Sequence, residues 1–137
     1  MIKAMFVNLA VNDLARSKAF FEAIGFTFNP QFTDDTAACM VIGDNMYAML
    51  LTHAKFSQFT PKPIADARTS TEVLTALAVD SKAAVDAVME KALGAGGREP
   101  RPMHDHGFMM QRSLEDLDGH IWEIFWMDPA FVQPKPA

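Results

Sequence analysis

One carboxylate in this chain stands where hydrocarbon is expected. In Asp116-Leu117-Asp118-Gly119-His120-Ile121-Trp122-Glu123-Ile124-Phe125-Trp126, Glu123 interrupts a run of β-branched and aromatic residues. Asp118-Gly119 is a tight-turn signal, because glycine tolerates the positive φ that such turns need, and the run behind it reads as a strand. Side chains alternate along a strand, so Trp122, Ile124 and Trp126 share one face while Ile121, Glu123 and Phe125 share the other. A carboxylate inside an apolar strand needs a hydrogen-bonding partner, a metal ion or a chemical task.

Three other groups of residues could do chemistry. His104 and His106 flank Asp105 and would point the same way if that piece were extended, which makes a two-ligand metal set. Pro100, Pro102 and Gly107 favour a solvated loop instead, from which His106 could still shuttle a proton near neutral pH. His53 and His120 fall at strand ends and read as surface positions. Arg112 could recognise an anionic ligand, although a salt bridge with Glu115 or Asp116 is the commoner role for such a residue. Ten methionines suit an adaptable apolar cavity as well as a filled core.

Length and charge limit what these residues can serve. At 137 residues the chain can bury a core without disulfides, and half of it is hydrophobic with no run near the roughly 20 residues that span a bilayer. Cys39 is the only cysteine, and the N-terminus lacks the apolar stretch and cleavage pattern of a secretory signal. A cytoplasmic protein is expected. Twelve Lys and Arg against seventeen Asp and Glu, with no basic cluster, argue against nucleic acid and anionic membranes as partners.

The elements that must position Glu123 follow from periodicity. Met5 to Val11 alternates as a strand, with Val7, Leu9 and Val11 on one face and Phe6, Asn8 and Ala10 on the other. Asn12-Asp13 caps a helix whose apolar side carries Leu14, Phe20, Phe21 and Ile24, and Gly25 stops it. Phe26 to Thr33 reads as a strand interrupted by Pro30, Asp34-Asp35 as a turn, and Thr36 to Ile42 with Met46 to Thr52 as a hairpin about Gly43-Asp44-Asn45. Residues 53–72 read as a linker with one short helical turn. Then Leu9-Ala10-Val11-Asn12-Asp13 returns 68 residues later as Leu77-Ala78-Val79-Asp80-Ser81. A second helix carries Ala84, Val85, Val88, Met89 and Ala92 and is closed by Gly94, Gly96 and Gly97. Arg98 to Pro102 reads as a short strand, Phe108 to Glu115 and His120 to Met127 as two longer ones, and Asp128 to Ala137 as a loose tail. Two βαβββ modules result, at about 1–52 and 73–128, in a single domain spanning 1–137.

That repeat, Asn12-Asp13-Leu14-Ala15-Arg16-Ser17 with Phe20-Phe21, Ile24-Gly25-Phe26, and Asp116-Leu117-Asp118-Gly119 before Glu123 together resemble the vicinal-oxygen-chelate superfamily. Its members include glyoxalase I, the bleomycin and fosfomycin resistance proteins and the extradiol dioxygenases. The resemblance implies an α+β fold in which tandem βαβββ modules form a cup-shaped mixed sheet with helices outside. It also implies a ligand site on the concave face and a homodimer. Metal-dependent members place His or Glu ligands on the first and last strands of each module. Carried over, those positions fall on Asn8, Leu50, Leu74 and Glu123. Only Glu123 is a good donor, whereas a catalytic site of this kind needs about three N or O ligands.

Within this resemblance Glu123 has three readings. Asn8 satisfies it across the cup; it hydrogen-bonds a ligand group; or Ile121, Phe125 and Leu74 desolvate it, raise its pKa and make it a general base. The cup wall is expected to hold Phe6, Ala48, Leu50, Leu74, Ala76, Ile121 and Phe125. Met109 or Met110, and Gln111 or Arg112, depend on register. The function this supports is binding of a small, partly apolar molecule, with no cofactor and without a complete catalytic metal site. The alternative is a metal-dependent lyase or extradiol-dioxygenase-like enzyme that uses Glu123 and a divalent ion. Fold alone does not choose between them.

Overall fold

Asp13 ends the first strand by starting a helix: its side chain accepts a hydrogen bond from the backbone N–H of Arg16, which leaves that amide satisfied at the helix start. The computed structural model describes residues 1–131. The expected tail is therefore described only to Phe131, and residues 132–137 lie outside it. The chain divides into two units, Met1–Ser70 and the part from Thr71 onward, a boundary near the end of the expected linker.

In the first unit β1 (Met5–Val11) leads into α1 (Leu14–Ile24), which Gly25 stops at φ 120°. β2 (Thr27–Asn29) is cut short by a 3-10 turn at Pro30–Phe32, because proline brings no N–H to the ladder. The Asp34 carboxylate then holds the chain reversal by accepting from Thr36 and Ala37. β3 (Ala37–Gly43) and β4 (Met46–Thr52) form the expected hairpin, with Asn45 at φ 60°. The sheet order is β1-β4-β3-β2, and β1 pairs with β4 in parallel. α2 (His53–Ser57) is the short helical turn expected in the linker.

The second unit repeats the plan. β5 (Leu74–Ala78) precedes α3 (Lys82–Gly94), whose N-cap Ser81 accepts from the amide of Ala84. β6 (His104–Asp105), β7 (Met109–Glu115) and β8 (Ile121–Met127) complete a sheet of order β5-β8-β7-β6, with β5 parallel to β8. The short strand expected at Arg98 to Pro102 is displaced. Arg98 makes only an isolated bridge to Glu115, and the prolines push the regular pairing on to His104 and Asp105, the stretch that reads as loop in the sequence.

Register settles which side chains share a face. In the first sheet Ala38, Met40, Ala48 and Leu50 are fully buried on one face, beneath α1 with its Phe20, Phe21 and Ile24. Phe6 and Asn8 lie on the other face with Tyr47 and Met49, and the rings of Phe6 and Tyr47 stack at 4.6 Å. In the second sheet Met110, Leu114, Trp122 and Ile124 are buried on the face that meets α3. Burying such side chains drives each layer together, at about 25 cal/mol per Å² of apolar surface.

The turn between β7 and β8 is held by Asp116. Its Oδ1 accepts from the amides of Asp118 and His120, and its Oδ2 from Trp122 Nε1, each at 3.0 Å. Gly119 takes φ 94° beside it. Burial pushes the Asp116 carboxyl upward, and His120 and these donors push back. Asp116→Ala, which strands three donors, is expected to cost about 3 kcal/mol. Asp116→Asn keeps one acceptor and should lose less. Urea unfolding checks the order, and equal stability of the alanine variant and the parent would show that the turn does not depend on this group.

Candidate functional site

Glu123 sits mid-strand in β8 and is only 6% exposed. The hairpin brings its partners from β7: Gln111 Nε2 and Ser113 Oγ both donate to Glu123 Oε2, the latter at 3.1 Å. Ser113 lies directly opposite Glu123, and Gln111 is diagonal to it. The bonding partner is thus a pair of neutral donors from the adjacent strand, the role the sequence suggested for Asn8. Counting outward from the Asp116–Gly119 turn pairs Ser113 with Glu123, so a signal for this contact was present in the sequence. Oε1 receives no donor from the described residues, and no buried side-chain nitrogen or oxygen among them lacks a partner. Oε1 is therefore the carboxylate atom that still reaches solvent.

The face around it is largely apolar on the β5 side, with Gln111, Ser113 and Glu115 of β7 as its polar members. Leu74, Ala76 and Ala78 of β5, Ile121, Phe125 and Met127 of β8, and Met109 of β7 share the Glu123 side, with Leu74 57% exposed. Of the expected wall residues, Leu74, Ala76, Ile121 and Phe125 lie together here, and the open choices fall to Met109 and Gln111. Arg112 and Met110 lie on the opposite face. Phe6 and Asn8 share the corresponding face of the first sheet. Leu50 and Ala48 do not: with β1 and β4 parallel and Asn8 opposite Met49, they turn to the buried side.

Arg112 is committed elsewhere. Its Nε and Nη2 grip Glu99 at 2.9 and 2.8 Å, and its Nη1 reaches Asp86 of α3 at 2.8 Å, in place of the expected Glu115 or Asp116. The bond to Glu99 raises the guanidinium's pKa, and the guanidinium holds the Glu99 carboxyl below its ordinary range. These three residues, with Lys82, Asp105 and Met103, line an open groove of about 750 Å³ on the helix side. Five of its charged groups satisfy one another, since Lys82 also pairs with Asp105 at 2.9 Å, and Arg101 lines it as well. The solvent-reaching oxygen of Glu123 is on the other face, which is the candidate site. His104 and His106 lie in and after the edge strand β6, both exposed, with rings 6.1 Å apart. Register sets His104, not His106, opposite Gln111.

Register also corrects the positions that correspond between modules. Leu74 pairs with Ile121, two residues before Glu123; its counterpart 68 residues earlier is Phe6, which pairs with Tyr47, two residues before Met49. The matched set is Phe6, Met49, Leu74 and Glu123, in place of Asn8, Leu50, Leu74 and Glu123. In the first unit Phe6 and Met49 offer a phenyl and a thioether, and in the second Leu74 and Glu123 offer an isobutyl group and one carboxylate already bonded to Gln111 and Ser113; neither pair fits a catalytic divalent ion. No group of three or more His, Cys, Asp or Glu residues suited to a metal occurs among the described residues.

The same tandem topology recurs in known structures. A hypothetical protein from S. aureus is 28% identical with TM-score 0.78, over 92% of this chain and 95% of that one. The fold is glyoxalase-like. A glyoxalase-related enzyme from Fulvimarina pelagi aligns at 22% identity and TM-score 0.77, over 92% of this chain and 88% of its own. The fosfomycin resistance protein FosX from Mesorhizobium loti aligns at 16% and 0.68, over 95% and 97%. Residues 3–43 match the family described as Bleomycin resistance protein-like N-terminal. No curated protein sequence matches the chain. The chain is thus similar in fold to glyoxalase-related and fosfomycin resistance proteins and, over residues 3–43, in sequence to a bleomycin-resistance-like family. No helix among the described residues is long and apolar enough to cross a membrane.

The Arg112 network carries a pH signature. A carboxylate with a depressed pKa contributes stability that is present above its unfolded value and lost as pH falls through its folded value. For Glu99 the loss begins below about 4.5, the ordinary value. Arg112→Met should therefore lower stability most near neutrality, and its deficit relative to the parent should shrink as pH falls from about 5 to about 3. Urea midpoints measured across that range decide the matter; a constant deficit would mean that Arg112 acts through packing alone.

Proposed function

We propose that this protein binds a small, partly apolar molecule on the Glu123 face, as a non-catalytic binding or sequestration protein without a complete catalytic metal site. The observation that carries the reading is a carboxylate more than nine-tenths buried, fixed through Oε2 by Gln111 and Ser113, whose Oε1 is left for a guest. Leu74, Ile121 and Phe125 supply an apolar bed beside one oriented polar group, the usual composition of a small-molecule site. Fixing the carboxylate in advance spares a ligand the cost of ordering it. Leu74 near Glu123, and Phe6 with Met49 at the matching positions of the first sheet, bring no nitrogen or oxygen ligand, which supports binding over metal-assisted chemistry.

The enzyme alternative would use Oε1 as a base or as one ligand of a divalent ion. Metal analysis of protein purified without chelator distinguishes the two readings. The binding reading expects less than about one-tenth equivalent of Zn, Ni, Mn or Fe, and melting shifts with small apolar probes that persist in chelator. A stoichiometric metal that is lost in Glu123→Gln would overturn it. The fold's relatives also lead us to propose a homodimer, for which Phe6, Met46, Val73 and Leu74 offer exposed apolar surface. Sedimentation at the monomer mass across the micromolar range would remove that part.

A further inference from the structure

Resting on the binding reading, we propose that the Glu123 face selects an apolar amine: a molecule whose protonated nitrogen donates to Glu123 Oε1 while its hydrocarbon body lies on Leu74, Ile121 and Phe125, and that the same face rejects carboxylates. Both protein donors, Gln111 Nε2 and Ser113 Oγ, are spent on Oε2. What Oε1 lacks is a donor, so the complementary ligand group is one that donates. A cationic nitrogen makes the bond charge-assisted, roughly twice as strong as a neutral one.

The distribution of charge over the sheet points the same way. Lys82 and Arg112 are held on the helix side by Asp105, Glu99 and Asp86. On the Glu123 side, register places no Lys or Arg within the described strands. Arg98, at the outer edge, is joined to Glu115 through backbone hydrogen bonds, and Glu115, opposite Ile121, adds a second carboxylate to this side. His104 stands exposed opposite Gln111. An incoming carboxylate would set its oxygens against Oε1 with no proton between them, after losing its own hydration. Gln111 is the positioning residue of this arrangement. Its amide proton commits Oε2 and turns Oε1 outward, and a cation in its place would neutralise Glu123.

Three probes with one hydrocarbon body test the selection: phenylbutylamine, phenylbutanol and phenylbutanoate, titrated calorimetrically near neutral pH. The amine is expected to bind about 10-fold tighter than the alcohol, and the carboxylate weakest. The side-chain amide resonance of Gln111 should shift with the amine in proportion to occupancy. Glu123→Gln should bring amine and alcohol to the same affinity, and Ser113→Ala should keep the parent's order. Gln111→Lys should reverse the preference toward the carboxylate, which keeps the idea testable if the Glu123 variant does not fold. A carboxylate preference in the parent, or an amine preference unchanged in Glu123→Gln, would overturn the selection while leaving the binding reading intact. No saturable binding of any probe would overturn the binding reading, and the selection with it.

Discussion

Side chains on a strand point alternately to opposite faces, so a register shift of one residue exchanges the whole buried set for the whole exposed one. Each sheet of this protein depends on that constraint, and in the second sheet it rests on the buried Asp116 carboxylate. By holding the amides of Asp118 and His120 and the indole of Trp122, this group fixes both the turn and the first inward side chain of the strand beyond it. Once Trp122 is inward, Glu123 must face the other way and Ser113 must lie across from it. The site is in this sense a consequence of how a turn is tied.

The second sheet keeps two polar systems apart by using its two faces. On the helix side, Arg112 joins β7 to α3 through Asp86 and to the Glu99 segment through a two-pronged grip. Removing one member of such a network is costly, because the rest remain charged and partly desolvated. On the other side, the buried Glu123 carboxylate is held by neutral donors, with Glu115 nearer the turn. The first sheet has Met49 where the second has Glu123, so the repeat kept its topology while its polar feature persists in one module alone.

Much of the architecture was legible in the residues. Asp13 and Ser81 marked helix starts, Gly25 and Asp118-Gly119 marked reversals, and the return of Leu9 to Asp13 at Leu77 to Ser81 exposed the repeat. The face carrying Leu74, Ala76, Ile121 and Phe125 followed from alternation alone. What alternation could not supply was the relation between strands. Leu50 was placed beside Asn8 because a parallel pair carries no turn from which to count, and only the observed pairing with Met49 turns it inward. Nearness in sequence points Arg112 to Glu115 or Asp116, whereas its partners Asp86 and Glu99 are 26 and 13 residues away. The edge strand at His104-Asp105 was hidden by its prolines, which delay pairing without preventing it.

Cys39 gives the first sheet a property of its own. The thiol lies in β3 with no exposed surface, and burial pushes its pKa upward, so it is both shielded and short of the reactive thiolate form. An alkylating reagent can reach it only when the side chains that cover it move away. The chain thus carries a natural clock for opening of its first half, readable by mass without any added label, while the second half, which has no sulfhydryl, stays silent.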